Sequence, residues 1–520
     1  VRSVRRTVST ADVLARIDDP LTFLIEFGEL ESALVDQLCP EYDIVAPDIA
    51  ALREVSREAG RAFISGNGRV REALAGVPLP ASVEVTVPAG YAWHGLTPAA
   101  YIQAAAQFWT ERRPAKAVVI GIRGIGTSLS AVVAAVLEQR GCSVQTYTVR
   151  PHGHAGYRQL KLREDLQQAL AWQPNTWYVV VDDGPGLSGS SFAATAQWLS
   201  ALRVPDERIV FMPAWLPDGS CFISRGAEAR WRIHAKYPAA PAMPGGAVLD
   251  LSAGAWRELF YSSSSQHPAV QPQHEVPKFL ARANDVTSLV RFAGLGRYGR
   301  EKLERARLLS AAGFSMTPLA LEDGWLKLAF EPGRPLTCGA MDNDLLDTIA
   351  RYIAFRRQAF ATGDAARTEP LANMVRVNLG VDVPDPPGAE AAIMDGRMMP
   401  HEWIATPNGY LKADALDHGD NDFYPGPSDP CWDLAGAMIE WQLDDRRRSR
   451  LVRKYIEHSR DRRAAERMPF YLLAYTAFRA GYTHMAVTGL PPSPDRACFE
   501  KLHAHYRAVG EREAAQLVAQ

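Results

Sequence analysis

Apolar residues fall into two kinds of run along the first half of the chain. Ala117–Ile122, Ser143–Val149, Trp177–Val181 and Arg208–Met212 are short stretches of strand length, rich in apolar, β-branched and aromatic residues. Between them, Leu129–Arg140, Gln159–Trp172 and the helix 190–202 read as helical; in the last, apolar positions recur at i, i+3/i+4 and i+7, the spacing of a helix with one buried face. Strands alternating with helices predict parallel pairing through right-handed crossovers. Ligands of such sheets lie beyond the C-terminal ends of the strands. Three polar or Gly-rich loops, 123–128, 150–158 and 182–191, fall at that edge.

The second half has a different rhythm. Lys278–Arg282 and Ser288–Phe292 read as a hairpin, and Gly294-Leu-Gly-Arg-Tyr-Gly299 leads into a helix over Glu301–Ala312. A further strand pair follows at Leu319–Leu321 and Trp325–Phe330. Beyond Asp342 the pattern is helical apart from 391–433. The expected fold class is therefore α/β, with a parallel-sheet domain over 91–262 followed by an α+β domain over 275–520. Residues 1–90 read as a mainly helical extension or hood, with helix starts near Thr10 and Asp48. The Ser- and Pro-rich break at 263–274 reads as a linker.

Composition narrows the class without naming a chemistry. A chain of 520 residues exceeds what one core usually supports. Its 47% hydrophobic and 22% charged residues are those of a globular protein, and a net charge of −2 gives no global pull toward nucleic acid or membrane. Cys39, Cys142, Cys221, Cys338, Cys431 and Cys498 are scattered, with no paired spacing for zinc or a disulfide frame. No apolar run is long enough to span a bilayer, and no apolar segment follows the basic N-terminus. A cytoplasmic protein with small-molecule partners is expected.

The chemistry concentrates at 177–191. An apolar strand runs into Asp182 and Asp183, then into a Gly/Ser loop and a helix start. Unpaired N–H groups at a helix N-terminus favour an anion, whereas adjacent carboxylates suit sugar hydroxyls or Mg²⁺. Val179-Val-Val-Asp-Asp-Gly-Pro-Gly-Leu-Ser-Gly-Ser-Ser191 resembles the phosphoribosyl pyrophosphate (PRPP) motif of type I phosphoribosyltransferases. Gly121–Gly126 resembles that family's pyrophosphate loop, and 150–158 its lid. The resemblance covers about residues 95–215. It implies Mg²⁺ and PRPP, with Asp182 and Asp183 on the ribose hydroxyls and metal. Ser188, Gly189, Ser190 and Ser191 would cradle the 5′-phosphate, and Arg123 and Gly124 would face pyrophosphate. Arg150, His152, His154 and Arg158 would belong to the lid. Four residues rather than the usual three separate Asp183 from Ser188.

The second half resembles the aminoglycoside phosphotransferase and choline kinase group through Leu416-Asp-His-Gly-Asp420 and Ser428-Asp-Pro-Cys-Trp-Asp-Leu-Ala435. The resemblance implies ATP, with Asp417 as a metal ligand, Asp433 as a structural acid and Asp395 as the catalytic acid. Arg291 would stand at the ATP-binding lysine position, with Glu304 as its helical partner. Several positions depart from the pattern: Ile393-Met394 replace His-Gly, and Pro400 replaces Asn, with His401 or Glu402 as substitutes. Three functions follow as expectations. The first is a phosphoribosyltransferase-type enzyme whose kinase-like half phosphorylates a small molecule. The others are a sensor of PRPP or nucleotides, and a small-molecule kinase with a binding-only first half.

Overall fold

Val118, Val119 and Ile120 are buried on both faces of their strand, as the central position in a parallel sheet requires. This strand lies within the first of two units, which comprises the described residues up to Met243 together with Gly294–Gly299; Pro244–Ala293 and the described residues from Arg300 onward belong to the second. The computed structural model describes residues 4–518, apart from 155, 187, 220, 221, 223, 241, 242, 284, 285 and 422.

In the first unit, β1 (Arg5–Ser9) pairs antiparallel with β2 (Ser82–Thr86), a ribbon the sequence reading did not anticipate. Then come β3 (Lys116–Ile122), β4 (Ser143–Val149), β5 (Thr176–Val181), β6 (Ile209–Met212) and β7 (Ala235–Lys236). They form one parallel sheet in the order β4-β3-β5-β6-β7. The two-residue β7 carries too little pattern to be read from sequence. The helix expected from Gln159 runs only from Glu164 to Leu170, because Gln159 exchanges backbone hydrogen bonds with His152 inside the loop.

The N-terminal extension supplies two long helices, Pro20–Leu38 and Pro47–Ser65. The first is capped by Asp19, whose carboxylate accepts from the Thr22 N–H. It is buried along most of its length, including the acids Glu26, Glu29 and Glu31. Buried acids need partners. Glu31 pairs with Arg53 of the next helix at 3.1 Å, and Arg53 also donates to the Thr127 carbonyl.

The second unit begins with β8 (Ala247–Asp250), which pairs antiparallel with β9 (Lys278–Ala283). With β10 (Val286–Phe292), β11 (Pro318–Glu322) and β12 (Trp325–Ala329) it forms a sheet in the order β11-β12-β10-β9-β8. Residues 244–262 thus belong here rather than with the preceding sheet. The segment 263–274 is not a free linker: Val270 and Gln271 are buried, and the Asp495 carboxylate accepts from the Val270 N–H and pairs with Arg257. A small sheet of β13 (Arg334–Pro335), β16 (Trp403–Thr406) and β17 (Gly409–Lys412) follows, with a ribbon of β14 (Ala361–Ala365) and β15 (Glu390–Ala392). The helices Asn343–Ala359, Cys431–Glu440, Asp445–Ser459, Ala464–Gly489 and Pro494–Val518 enclose the main core, as the helical pattern beyond Asp342 predicts. No helix among the described residues is long and apolar enough to cross a membrane.

Candidate functional site

Strand β5 ends at Val181 and delivers Asp182 and Asp183 to the edge of the parallel sheet. The Tyr101 hydroxyl donates to the Asp182 carbonyl at 2.7 Å and fixes the strand end. Gly184–Gly186 follow, and the chain enters the helix Ser190–Ala201. Gly189 precedes that helix with φ 61°, and a Cβ there would lie 2.5 Å from the Phe222 ring. Both facts demand glycine. A glycine at this position offers no side-chain acceptor to the first turn; the Ser188 hydroxyl accepts from the Ser190 N–H at 3.3 Å, and a helix N-terminus of this kind favours an anion. The Ser188 and Ser190 hydroxyls lie 2.9 Å apart beside them.

These residues line a cavity of about 310 Å³ with Thr86–Ala89, Arg123, Gly124, Arg158 and Gly184–Gly186. Asp182, Asp183, Ser188, Gly189, Ser190, Ser191, Gly124 and Arg158 therefore come together. Burial and the proximity of Asp183 push Asp182 well above the usual carboxylate range; burial also raises Asp183. Among the described residues no Lys or Arg forms an ion pair with either acid, in contrast to most other buried carboxylates of the chain. Two crowded carboxylates that no Lys or Arg among the described residues pairs with fit a hard divalent ion with oxygen ligands. Leu187, one residue of the enlarged loop, lies outside the described residues.

Arg123 departs from its expected place. Its backbone lines the cavity, but its guanidinium is buried and pairs with Asp36 at 2.8 Å and with Asp43. Arg150 pairs with the same Asp36 at 2.5 Å, donates to the Arg123 carbonyl at 2.6 Å, and its N–H donates to Asp43 at 2.8 Å. Burial would raise Asp36, but Arg150 and Arg123 outweigh it and hold its carboxyl low. The two arginines thus splice the pyrophosphate-type loop to the start of the 150–158 loop. Neither guanidinium is free for a phosphate. In that second loop His152 is bridged to Gln159, and His154 accepts from the Gly156 N–H at 3.1 Å. Neither histidine lines the cavity, and Ala155 lies outside the described residues.

The second unit gathers a larger set of acids and fills it with cations. Arg291 on β10 donates to both Asp417 oxygens at 2.9 Å and to Asp414 at 2.7 Å. Lys302 approaches Asp417 at 3.9 Å, and Arg305 pairs with Asp420 at 2.7 Å. The helix face bearing Lys302, Arg305, Ala306 and Leu309 is buried, so Glu304 points away, 62% exposed and paired with Arg307. The expected Arg291–Glu304 pair is absent because the helix brings bases, not an acid, to the site.

Asp395 is 1% exposed and accepts from the Tyr352 hydroxyl. Lys412, at the end of β17, reaches Asp395 at 3.3 Å and Glu402 at 2.9 Å. Burial alone would raise Asp395, but Lys412, His418 and Arg356 hold it at about 2. Asp433 accepts from the N–H groups of Asp395 and Gly396, both at 2.8 Å. Burial and Asp395 push Asp433 up to about 7.

Sequence reasoning missed Lys412 and Asp414; a lysine ending a strand just before an acidic run was the available signal. Glu402, Asp414 and His418 offer three ligand atoms within 4.8 Å of one another. Arg397 and Arg291 already pair with the first two, and Asp414 and Asp395 hold His418 above its usual range despite burial. The acids of this unit, Asp395 and Asp417 included, do not fit a divalent cation as they stand. Beside them is a cleft of about 120 Å³ lined by Trp256, Phe260, Phe330, His401, Arg397 and Asp414, among others; it does not reach Asp395 or Asp417.

Comparison with solved structures finds about half of this chain similar to phosphotransferases. The choline kinase of Streptococcus pneumoniae matches at 15% identity and TM-score 0.30, over 49% of this chain and 96% of that one. A choline/ethanolamine kinase family protein of Mesorhizobium loti matches at 16% identity and TM-score 0.33, over 50% and 97%. A macrolide 2′-phosphotransferase of Brachybacterium faecium matches at 14% identity and TM-score 0.28, over 44% and 88%. No family model and no curated protein matches the chain. At such scores these likenesses carry no site assignment, and the phosphoribosyl reading draws no support from them.

Proposed function

We propose that the first unit is a Mg²⁺-dependent phosphoribosyl-transferring site that takes PRPP. The observation that carries this reading is that Asp182 and Asp183, with which no Lys or Arg among the described residues forms an ion pair, share one cavity with the loop and helix start at Ser188–Ser191. In this reading the loop N–H groups and the Ser188 and Ser190 hydroxyls bind the 5′-phosphate, and the two acids hold the ribose hydroxyls. Asp182 and Asp183 also hold Mg²⁺, which neutralises charge on the departing pyrophosphate. Gly124, with φ 122°, offers backbone close to that leaving group, and Arg158 supplies the one guanidinium in the cavity not tied into an ion pair among the described residues. PRPP binding at this site is tested by calorimetric titration with PRPP and Mg²⁺, and its turnover by pyrophosphate release in the presence of candidate bases. Binding by the wild type, and its loss in Asp182→Asn/Asp183→Asn, supports the reading; equal binding by both overturns it.

A second reading is ATP-dependent phosphotransfer to a small hydroxylated molecule by the second unit. What favours it is the clasp of Asp433 on the Asp395 and Gly396 N–H groups, together with the phosphotransferase names of the similar structures. What opposes it is the set of internal cations already seated on Asp395 and Asp417. ATP turnover lost in Asp395→Asn would establish it.

A further inference from the structure

The second unit carries a groove that its buried acids do not enter. It runs between the helices Asp445–Ser459 and Ala464–Gly489 and has a volume of about 660 Å³. Its floor is apolar. Met438 and Met468 are buried there, while Val452, Ile456 and Leu472 pack against the main core and are only partly buried.

The rim is basic. Residues 445–463 hold nine Lys or Arg against three acids, in a chain whose net charge is −2. A basic run by itself is an ordinary solvated face. Here four arginines, Arg448, Arg453, Arg460 and Arg462, line the groove, and Glu457 is the only acid among the described lining residues. Arg448 is committed to Glu513 at 2.9 Å, and Arg453 meets Glu457 only at 3.9 Å. Arg460 and Arg462 are exposed and form no ion pair among the described residues. Arg460 also ends its helix with φ 63°, a left-handed conformation that glycine or asparagine adopts at lower cost. An arginine stands at the edge of the groove despite that cost.

Shape and charge together select the occupant. Single-stranded nucleic acid is held by stacking on aromatics as well as by phosphate contacts, and none of the lining residues is aromatic. A bilayer surface needs apolar side chains that protrude, whereas these lie at the bottom of a groove between two helices. An α-helix with one apolar face fits such a groove, and Asp or Glu beside that face would meet the arginines. Methionines suit the floor, because an unbranched side chain adapts to the shape of its partner. The helix Asp445–Ser459 has 15 residues, about 22 Å at 1.5 Å per residue, room for a partner helix of about four turns.

We infer that this groove docks an acidic amphipathic helix of a partner protein, with its apolar stripe on Val452, Ile456 and Leu472 and its carboxylates on Arg460 and Arg462. The apolar contact holds the complex, and the arginines select the sign of the partner and speed its approach. The docking is independent of both catalytic readings.

The test is fluorescence anisotropy of the full chain with a labelled synthetic helix of about 16 residues, carrying Leu at i, i+3, i+4 and i+7 and Glu between them. Micromolar binding is expected at about 50 mM salt, weakening by about 10-fold at about 0.5 M as the arginines are screened. Ala465→Trp, at an exposed position lining the groove, is expected to fill it and weaken binding by about 10-fold. Arg460→Asn/Arg462→Glu, which keeps the left-handed turn accessible, is expected to weaken binding by about 10-fold at low salt and to remove most of the salt dependence. Both variants are expected to melt with the wild type, so that lost binding reports the groove and not the fold. A scrambled peptide of the same composition and a Lys-for-Glu peptide are expected not to bind. No binding of the acidic helix, equal binding of the scrambled peptide, or unchanged affinity in both variants overturns the inference. So does binding of a single-stranded oligonucleotide or of phosphatidylserine vesicles in preference to the acidic helix, which would assign the basic rim to nucleic acid or to a membrane.

Discussion

The protein carries two clusters of buried acids, and they are solved in opposite ways. Asp182 and Asp183 crowd each other at a sheet edge, where no Lys or Arg among the described residues pairs with them, and their carboxyls are raised. Asp395 and Asp417 are more deeply buried, yet both are lowered, because Lys412, Arg291 and Lys302 arrive with them. An acid that folding leaves uncompensated is an acid that a ligand must complete. An acid that folding compensates contributes to the fold and has little left to offer a metal. Geometry alone, two carboxylates close together, does not separate the cases; the count of cations does.

The contrast can be broken most forcefully at Lys412. Lys412→Met strands Asp395 and Glu402 in the core, and is expected to cost about 3–5 kcal/mol of stability in urea unfolding. A cost below 1 kcal/mol would mean that the lysine does not compensate these acids. Next in size, Asp182→Asn/Asp183→Asn should weaken PRPP·Mg²⁺ binding by about 100-fold, on the order of 2.7 kcal/mol, with the fold intact by circular dichroism. A smaller effect concerns pH. A raised carboxyl pKa means that the native state holds protons the unfolded chain has lost, so its stability contribution falls as pH rises from the unfolded value through the folded one. The double asparagine variant should therefore melt above the wild type at pH 7.5, by a few degrees (about 4 °C), and the gap should narrow toward pH 5 and on adding magnesium. Asp395, being lowered, has the opposite sign: its contribution is present above the unfolded pKa and lost as pH falls toward 2. Smallest of all, Glu304→Ala should shift unfolding by no more than about 0.5 kcal/mol, since its ion-pair partner Arg307 is itself solvent-facing.

What could be read beforehand follows the range of the interactions. The strand, double acid, glycine turn and helix start of 177–191 are contiguous, so their local pattern announces the cavity wall they make. The antiparallel hairpins at 278–292 and 318–329 were legible for the same reason. Arg123 shows the limit. Its loop was legible, but its partners Asp36 and Asp43 lie about 80 residues away in a helix and a bridge that the sequence reading left blank. Glu304 failed differently: the helix was found, but its buried face had to be known before an acid could be assigned to it. The helix Pro20–Leu38 carried a usable signal, since Glu26, Glu29 and Glu31 interrupt an otherwise apolar run.

The segment Gly294–Gly299 has a further consequence for how the protein is made. It is counted with the first unit, where the Leu295 N–H donates to the Tyr91 carbonyl, Arg297 donates to Glu26, and Tyr298 packs with Val87, Ala92 and Trp93. During synthesis the ribosome must therefore deliver another fifty residues of the following unit before the first can close. A fragment stopped at Met243 would leave that small apolar cluster uncapped, and would strip Glu29 of Arg297 and Tyr298, which oppose the rise that burial gives its carboxyl.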